Sequence, residues 1–272
     1  KGGKVTALII YVDDMIITGN DMQEISQLKK CLAKEFEMKN LGGLKYFLGI
    51  EIARSKQGIF LSQRKYVLDL LAETGMLDCK PVDTPIVQNH YLGEYPNQVP
   101  TNKERYQRLV GRLIYLSHTR PDIAYAVSVA SQFMHCPSED HMDAVFRILK
   151  YLKSAPGKGL LFSKNGHLNI SGYTDADWAG NVTDRRSTSG YFTFCDNKAA
   201  ICIAHNPVQH DRTKHVEVDR HFIKEKLENK EIQLPFVKSE DQLADILTKA
   251  VFSRVFHNSL IKLGIGDIYA PT

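Results

Sequence analysis

The sequence holds no apolar run long enough to cross a membrane. Its longest candidates, Ala7–Val12 and Met15–Ile17, are split by Asp13 and Asp14 and fall well short of the roughly 18 residues a span requires. No basic, apolar, small-residue leader opens the chain, and it does not start with Met. It begins in the middle of a strand-like stretch, as a piece of something longer would. Tryptophan occurs once, at Trp178, and cysteine five times, at positions 31, 79, 136, 195 and 202. An odd number at scattered spacings argues against a disulfide scaffold and suits reduced thiols in a cytoplasmic or nuclear setting. Neither sign of charge dominates: 35 Lys and Arg face 31 Asp and Glu, with a pI near 8.7, a faint hint of a polyanionic partner. No internal repeat or low-complexity segment appears. At 272 residues, 43% apolar and 24% charged, the chain is globular and long enough for about two domains, which excludes disordered and collagen-like classes.

What is present alternates between strand-like and helix-like text. VTALIIYVDDMIITG (5–19) is β-branched and apolar on both sides of an Asp pair and predicts a buried hairpin with Asp13 and Asp14 at or near its turn. Residues 21–37 predict a helix: Asp21 and Glu24 resemble a capping box, and Ile25, Leu28, Leu32 and Phe36 form one apolar stripe. LKYFLGIEI (44–52) and GIFLSQ (58–63) read as strands, and Arg64–Gly75 as an amphipathic helix stopped by its glycine. Pro81, Pro85, Pro96 and Pro100 are four of the ten prolines, so 81–101 is the best linker and domain border. Helices are expected over Lys103–His118, Asp122–Met134 and Glu139–Lys153, with Pro121 and Pro137 near the starts of the second and third. Strands follow at 159–163, 167–174 and 187–194. Then come a short strand end running into a helix (195–205), a polar helix (213–229), a strand (232–237) and a last helix (240–250) carrying Asp245.

Two kinds of residue carry chemistry. Adjacent carboxylates in a tight turn repel one another, and a two-residue Asp-Asp link is not a favoured turn. A divalent cation relieves the repulsion: Mg²⁺ takes carboxylate oxygens together with substrate phosphates, and paired ions drive in-line phosphoryl displacement. A simple acidic turn is the alternative. The second kind is basic. Arg147, Lys150 and Lys153, with Lys158 and Lys164 beyond, make either a solvated helix face or one that contacts phosphates.

The exact strings go further. YVDD within apolar strands resembles the palm hairpin of reverse transcriptases. With LKYFLGIEI, GIFLSQRKYVLDLLAETGMLDCKPVDTP, YQRLVGRLIYLSHTRPDIAYAVSVASQFM, YTDADWAGNVTDRRSTSGYFTF, CDNKAA, RTKHVEVDRHF and QLADILTKAVF, the chain resembles copia-type LTR retrotransposon Pol polyproteins along essentially its whole length. The resemblance implies an α+β or α/β architecture: partial palm hairpins, primer-grip hairpin and start of thumb over 1–80, the linker 81–101, a helical thumb and connection over 102–155, a truncated RNase H-like mixed sheet with helices over 156–250, and a tail over 251–272. It implies RNA-directed DNA synthesis and cleavage of RNA–DNA hybrids, with Mg²⁺ as cofactor. Asp13 and Asp14 would be the polymerase acids. Asp175, Asp196 and Asp245 would be three of the four RNase H acids.

The family pattern is incomplete here. The polymerase site takes a third carboxylate from an earlier strand, and none of the 12 residues before Asp13 is acidic. RNase H proteins take their fourth acid, a Glu, from a helix between the second and fourth strands. In this chain GYFTF (190–194) runs directly into CDN (195–197), so the third strand and the Glu-bearing helix are missing. STSGYFTFCD must then run as one long strand, bend sharply or leave the sheet. The resemblance with its gaps implies a catalytically defective fragment, a weakened Mg²⁺ site, and weak sequence-independent binding to RNA–DNA hybrid or other nucleic acid, with no membrane partner. A host-coopted nucleic-acid-binding or interaction protein is the alternative.

Other residues have competing explanations. His205, His210, His215 and His221 lie near Cys195 and Cys202 in sequence, but the spacings match no short zinc-finger pattern. An i,i+4 contact between His215 and Asp219 fits better. Asp177 either supports Asp175 or is a decoy for it. Trp178 packs a core or sheet, or stacks on a base.

Overall fold

A computed structural model describes residues 3–163, 170–177, 187–195, 200–201, 229 and 237–269. Lys164, Trp178, Asp196, Cys202, the four histidines from 205 to 221 and, apart from Asn229, the helix expected at 213–229 lie outside them. The architecture is mixed α and β. The chain divides into two compact units between Leu48 and Gly49.

In the first unit β1 (Thr6–Tyr11) and β2 (Asp14–Gly19) form the expected antiparallel hairpin, from Thr6 opposite Gly19 to Tyr11 opposite Asp14. Helix α1 (Met22–Glu35) starts where Asp21 accepts from the backbone N–H groups of Gln23 and Glu24, both at 3.2 Å. Those contacts and Lys4 hold the Asp21 carboxyl below the usual carboxylate range. Ile25 is buried, Leu28 and Leu32 are half-buried, and Phe36 is exposed. The hairpin expected to be buried is not: Leu8, Ile9, Ile10, Tyr11 and Val12 all lie on the surface. The unit ends in β3 (Tyr46–Phe47). The stretch read as one strand, 44–52, breaks because Leu48 (φ 50°) and Gly49 (φ 81°) adopt left-handed backbone.

The second unit holds β4 (Ile50–Arg54), β5 (Gly58–Ser62) and, from far along the chain, β6 (Lys158–Ser163) and β10 (Ile265–Asp267). They join antiparallel in the order β10–β6–β5–β4. One sheet therefore crosses the borders expected at residues 81–101 and 155/156, and the presumed tail supplies an edge strand. The Pro-rich segment is a strap rather than a free tether. Glu139 N–H donates to Val99 O at 2.9 Å, and the His141 ring contacts Gly93 O at 3.1 Å.

Helices α2 (Arg64–Glu73), α3 (Lys103–Ser117), α4 (Ala124–Ser131) and α5 (Glu139–Ser154) supply most of the core. Each buries residues three and four apart: Val67, Leu70 and Leu71 on α2; Tyr106, Leu109, Val110 and Leu113 on α3; Val145, Ile148, Leu149 and Leu152 on α5. The segment expected as one helix from Asp122 opens with a 3₁₀ turn, Pro121–Ile123. Beside it Arg120, 1% exposed, donates to both Asp122 oxygens at 2.8–3.2 Å and to Ala155 O at 3.1 Å. Tyr151 Oη donates to Asp122 at 2.6 Å. Burial pushes the Asp122 carboxyl up, but Arg120 and Tyr151 outweigh it and hold the group below its ordinary value, ionised.

The other sheet is β7 (Ile170–Asp177), β8 (Thr188–Cys195) and β9 (Ala200–Ile201), in that order and antiparallel. Of the three courses open to STSGYFTFCD, its described part takes the first, an unbroken strand paired from Thr188 opposite Asp177 to Cys195 opposite Ile170. The helix expected over 240–250 is two short pieces, a 3₁₀ turn at Ser239–Asp241 and α6 (Asp245–Thr248). Helix α7 (Ser253–Lys262) follows and packs Phe256 edge-on against Tyr151, centroids 5.6 Å apart.

Candidate active site

Asp13 and Asp14 sit at the tip of the β1–β2 hairpin, both exposed. The turn is Val12–Asp13, and Val12 has φ 51°. A β-branched residue is strained in left-handed backbone, so the tip is built at a local cost. No third carboxylate joins the pair among the described residues.

Asp175 and Asp245 are 70 positions apart in sequence, yet they meet. Asp175 lies on β7 directly opposite Gly190 of β8. A Cβ on Gly190 would fall 2.6 Å from Leu247 Cβ and 3.3 Å from Thr248 Cγ2. The missing side chain is what lets α6 lie against the sheet at this point. Gln242 Nε2, just ahead of the helix, donates to Thr174 O at 3.1 Å. From α6, Thr248 Oγ1 donates to Asp175 Oδ2. Lys249 Nζ reaches both carboxylates, at 3.0 Å from Asp245 Oδ1 and 3.6 Å from Asp175 Oδ2.

Burial raises the Asp245 carboxyl, the neighbouring Asp175 adds to the rise, and Lys249 only partly offsets it. Burial lowers the Lys249 ammonium, but its contacts with Asp245 and Asp175 win and hold it above its ordinary value. Asp177, half-buried two residues along from Asp175, faces Tyr125, whose hydroxyl is pushed up to about 12 by burial and then by the Asp177 charge.

Asp196, the third expected acid, lies outside the described residues. Its predecessor Cys195 pairs with Ile170, five positions along β7 from Asp175, a separation of about 17 Å at strand spacing. Among the described residues no three His, Cys, Asp or Glu side chains are arranged to hold a metal. The donors at hand, two carboxylates and a hydroxyl, are hard oxygens of the kind Mg²⁺ takes, so the chemistry fits a single ion.

The basic residues that are described do not share one exposed face. Arg147 donates to Thr84 Oγ1 at 3.1 Å and so anchors the strap. Lys158 Nζ lies 3.4 Å from Tyr151 Oη, turned toward the buried Arg120–Asp122 pair, and burial lowers its ammonium. Lys150 is exposed and Lys153 half-buried. Sequence reasoning missed Gly190, Thr248 and Lys249. One signal was available: Asp245 and Lys249 stand four apart, the spacing of a helical ion pair.

A family model described as reverse transcriptase (RNA-dependent DNA polymerase) matches residues 1–88. The retrovirus-related Pol polyprotein from transposon RE1 of Arabidopsis thaliana is 36% identical over 97% of this chain, and that from transposon TNT 1-94 of Nicotiana tabacum is 33% identical over 90%. The chain belongs to the copia-type retrotransposon Pol family. It spans only 22% and 23% of the length of those two polyproteins. An uncharacterized mitochondrial protein of Arabidopsis thaliana is 42% identical over 69% of this chain and 78% of its own length. The RE1 alignment extends over 321 positions, whereas 97% of 272 residues is about 264, leaving about 57 positions of this Pol relative without a counterpart here. No solved structure matches. Among the described residues, no helix is long and apolar enough to cross a membrane.

Proposed function

We propose that this chain carries the end of a reverse transcriptase followed by an RNase H-type acid site that retains cation-binding chemistry but not two-metal hydrolysis. The observation that carries the reading is the meeting of Asp175 and Asp245 through Gly190, with Thr248 on Asp175. Asp175 and Asp245 would hold one Mg²⁺, which would supply Lewis-acid stabilisation of a phosphodiester. Thr248 fixes the Asp175 carboxylate, and the backing of α6 by β8 keeps Asp245 beside it.

Two-metal cleavage needs ions roughly 3.5–4 Å apart that bracket the scissile phosphate. Two carboxylates do not anchor both. The unbroken β8, with Cys195 far along β7 from Asp175, supports a strand and helix lost between Phe194 and Cys195, and the alignment positions lacking a counterpart here are numerous enough to hold them. Among the described residues, the exposed Asp13–Asp14 tip has no neighbouring carboxylate to complete a polymerase site. Contacts to nucleic acid would be weak and made to phosphates, with Lys150 and Lys153 the basic residues of α5 not committed to inward contacts.

A labelled RNA–DNA hybrid incubated with the chain and Mg²⁺ tests this directly. The expected result is no cleavage, restored by inserting a family strand–helix segment with its Glu between Phe194 and Cys195 and lost again on Asp175→Asn. Cleavage by the unrepaired chain that disappears in Asp175→Asn would overturn the reading. Primer extension on an RNA template should likewise be absent. Hybrid binding, measured by anisotropy, should weaken steeply with salt.

A further inference from the structure

The carboxylate pair already has a cation, and that cation is part of the chain. Lys249 Nζ stands within salt-bridge range of both acids, at 3.0 Å from Asp245 Oδ1 and 3.6 Å from Asp175 Oδ2. A divalent ion bound by the two acids would take their oxygens at about 2.0–2.1 Å, within a few ångströms of an ammonium that already holds one oxygen of each. Cations held that close repel, so the ion and the ammonium compete for the pair. Lys249 sits four residues beyond Asp245, so its tether keeps the competitor at high effective concentration. It is also free to leave: its side chain is 44% exposed and stands at a shallow, solvent-open depression lined by Thr84, Tyr125 and Phe256.

We infer that Lys249 is the resident counter-ion of the Asp175–Asp245 pair and competes with Mg²⁺ for it, so that metal enters only by exchange with the lysine. The inference rests on the pair being a metal site. It goes beyond that reading by making Lys249, and not only the carboxylate count, the determinant of how tightly the ion is held. When the lysine is displaced, the acids lose a monovalent partner and gain a divalent one. When metal leaves, the ammonium returns and keeps the two carboxylates together.

The test uses the full chain and Mn²⁺ as the probe, with free ion read by electron paramagnetic resonance. Wild type should bind weakly, and Asp175→Asn should remove that binding. Lys249→Met should bind roughly tenfold tighter, in the ordinary range of coupling between two ligands. Lys249→Gln should tighten binding in the same direction, and serves if the methionine variant does not fold. Lys249→Arg, which keeps the charge, should stay near wild type. A second readout needs no variant: acylation of the Lys249 amine, followed by mass spectrometry, should quicken when Mn²⁺ is added.

Equal or weaker Mn²⁺ binding in the neutral variants, with wild-type binding still lost in Asp175→Asn, would overturn the counter-ion role and leave the metal site standing. No Mn²⁺ binding in wild type or in the neutral variants would overturn the metal site and the exchange with it.

Discussion

The two acid pairs of this chain are made in opposite ways. Asp13 and Asp14 are neighbours in sequence and lie exposed at the tip of a hairpin whose apolar residues Ile9, Ile10 and Val12 are themselves on the surface. Asp175 and Asp245 are distant in sequence and are brought together by a helix laid on a sheet, with a threonine from the same helix and a lysine from the residue after it. Covalent adjacency gives the first pair proximity without surroundings. Tertiary packing gives the second pair burial, partners and a shifted carboxyl, the properties that mark a tuned site.

The largest way to break the comparison is to remove the support of the second pair. Asp122→Ala leaves the Arg120 guanidinium buried and unpaired, which costs about 3–5 kcal/mol. Urea denaturation should show the loss, and Mn²⁺ binding at Asp175–Asp245 should fall with it. Replacing both partners, Arg120→Met with Asp122→Leu, should recover much of that stability, because no charge is left stranded. If the single and double variants were equally unstable, the stranded guanidinium would not be the source of the loss.

Gly190→Val is aimed at the site itself. The new side chain would drive into Leu247 and Thr248, at about 1–3 kcal/mol for overpacking, and should separate Asp245 from Asp175. The matched control is Gly43→Ala in the first unit, where an added Cβ meets nothing within 4 Å and stability should stay within about 0.5 kcal/mol. Parallel melting curves for the two variants would show whether a close approach is required at one glycine and absent at the other.

Acid should act through the second unit and more gently. His141 is 1% exposed, its Nδ1 accepts the Ser138 N–H at 3.0 Å, and its ring stacks on Phe133 at 3.8 Å. Burial holds its pKa below the usual histidine value, against smaller upward pulls from Gly93, Asp140 and Glu94. His90 is lowered by burial as well. A lowered folded pKa means the unfolded chain takes up protons first. The stability these histidines contribute is therefore complete above about pH 6.5 and is lost as pH falls below it toward their folded values. His141→Gln should flatten that part of a stability-versus-pH curve; an unchanged slope would assign the acid sensitivity elsewhere.

The smallest effect belongs to the exposed pair. Val12→Gly removes left-handed strain of roughly 1–2 kcal/mol and adds about 0.5–1 kcal/mol of chain entropy cost, so the first unit should gain at most about 1.5 kcal/mol. Amide exchange of the β1–β2 hairpin would report it. A loss of protection would mean that the Val12 side chain has a role the exposed tip does not display.

Much of the local structure was legible in residues. The capping residue Asp21, the stop at Gly75 and the apolar stripes of α2, α3 and α5 follow from 3.6-residue periodicity and end chemistry, which act over a few positions. The pairing of β6 with β5, across about a hundred residues, was not legible, nor was the edge strand formed by Ile265–Asp267. Nothing within a strand's own text names its partner. The break at Leu48–Gly49 was missed for a related reason: an apolar run shows no periodicity that distinguishes one strand from two short ones.

The site divides along the same line. Sequence alone determined which acids to look for and the family to which they belong, because motif strings fix residue types at fixed spacings. Only the tertiary structure decided that Asp175 and Asp245 share a lysine, that Asp13 and Asp14 lie exposed, and that Arg147 and Lys158 turn inward. Those outcomes depend on which backbones can approach closely. For Asp175 and Asp245 the close approach depends on one absent Cβ, at Gly190, opposite the aspartate it serves.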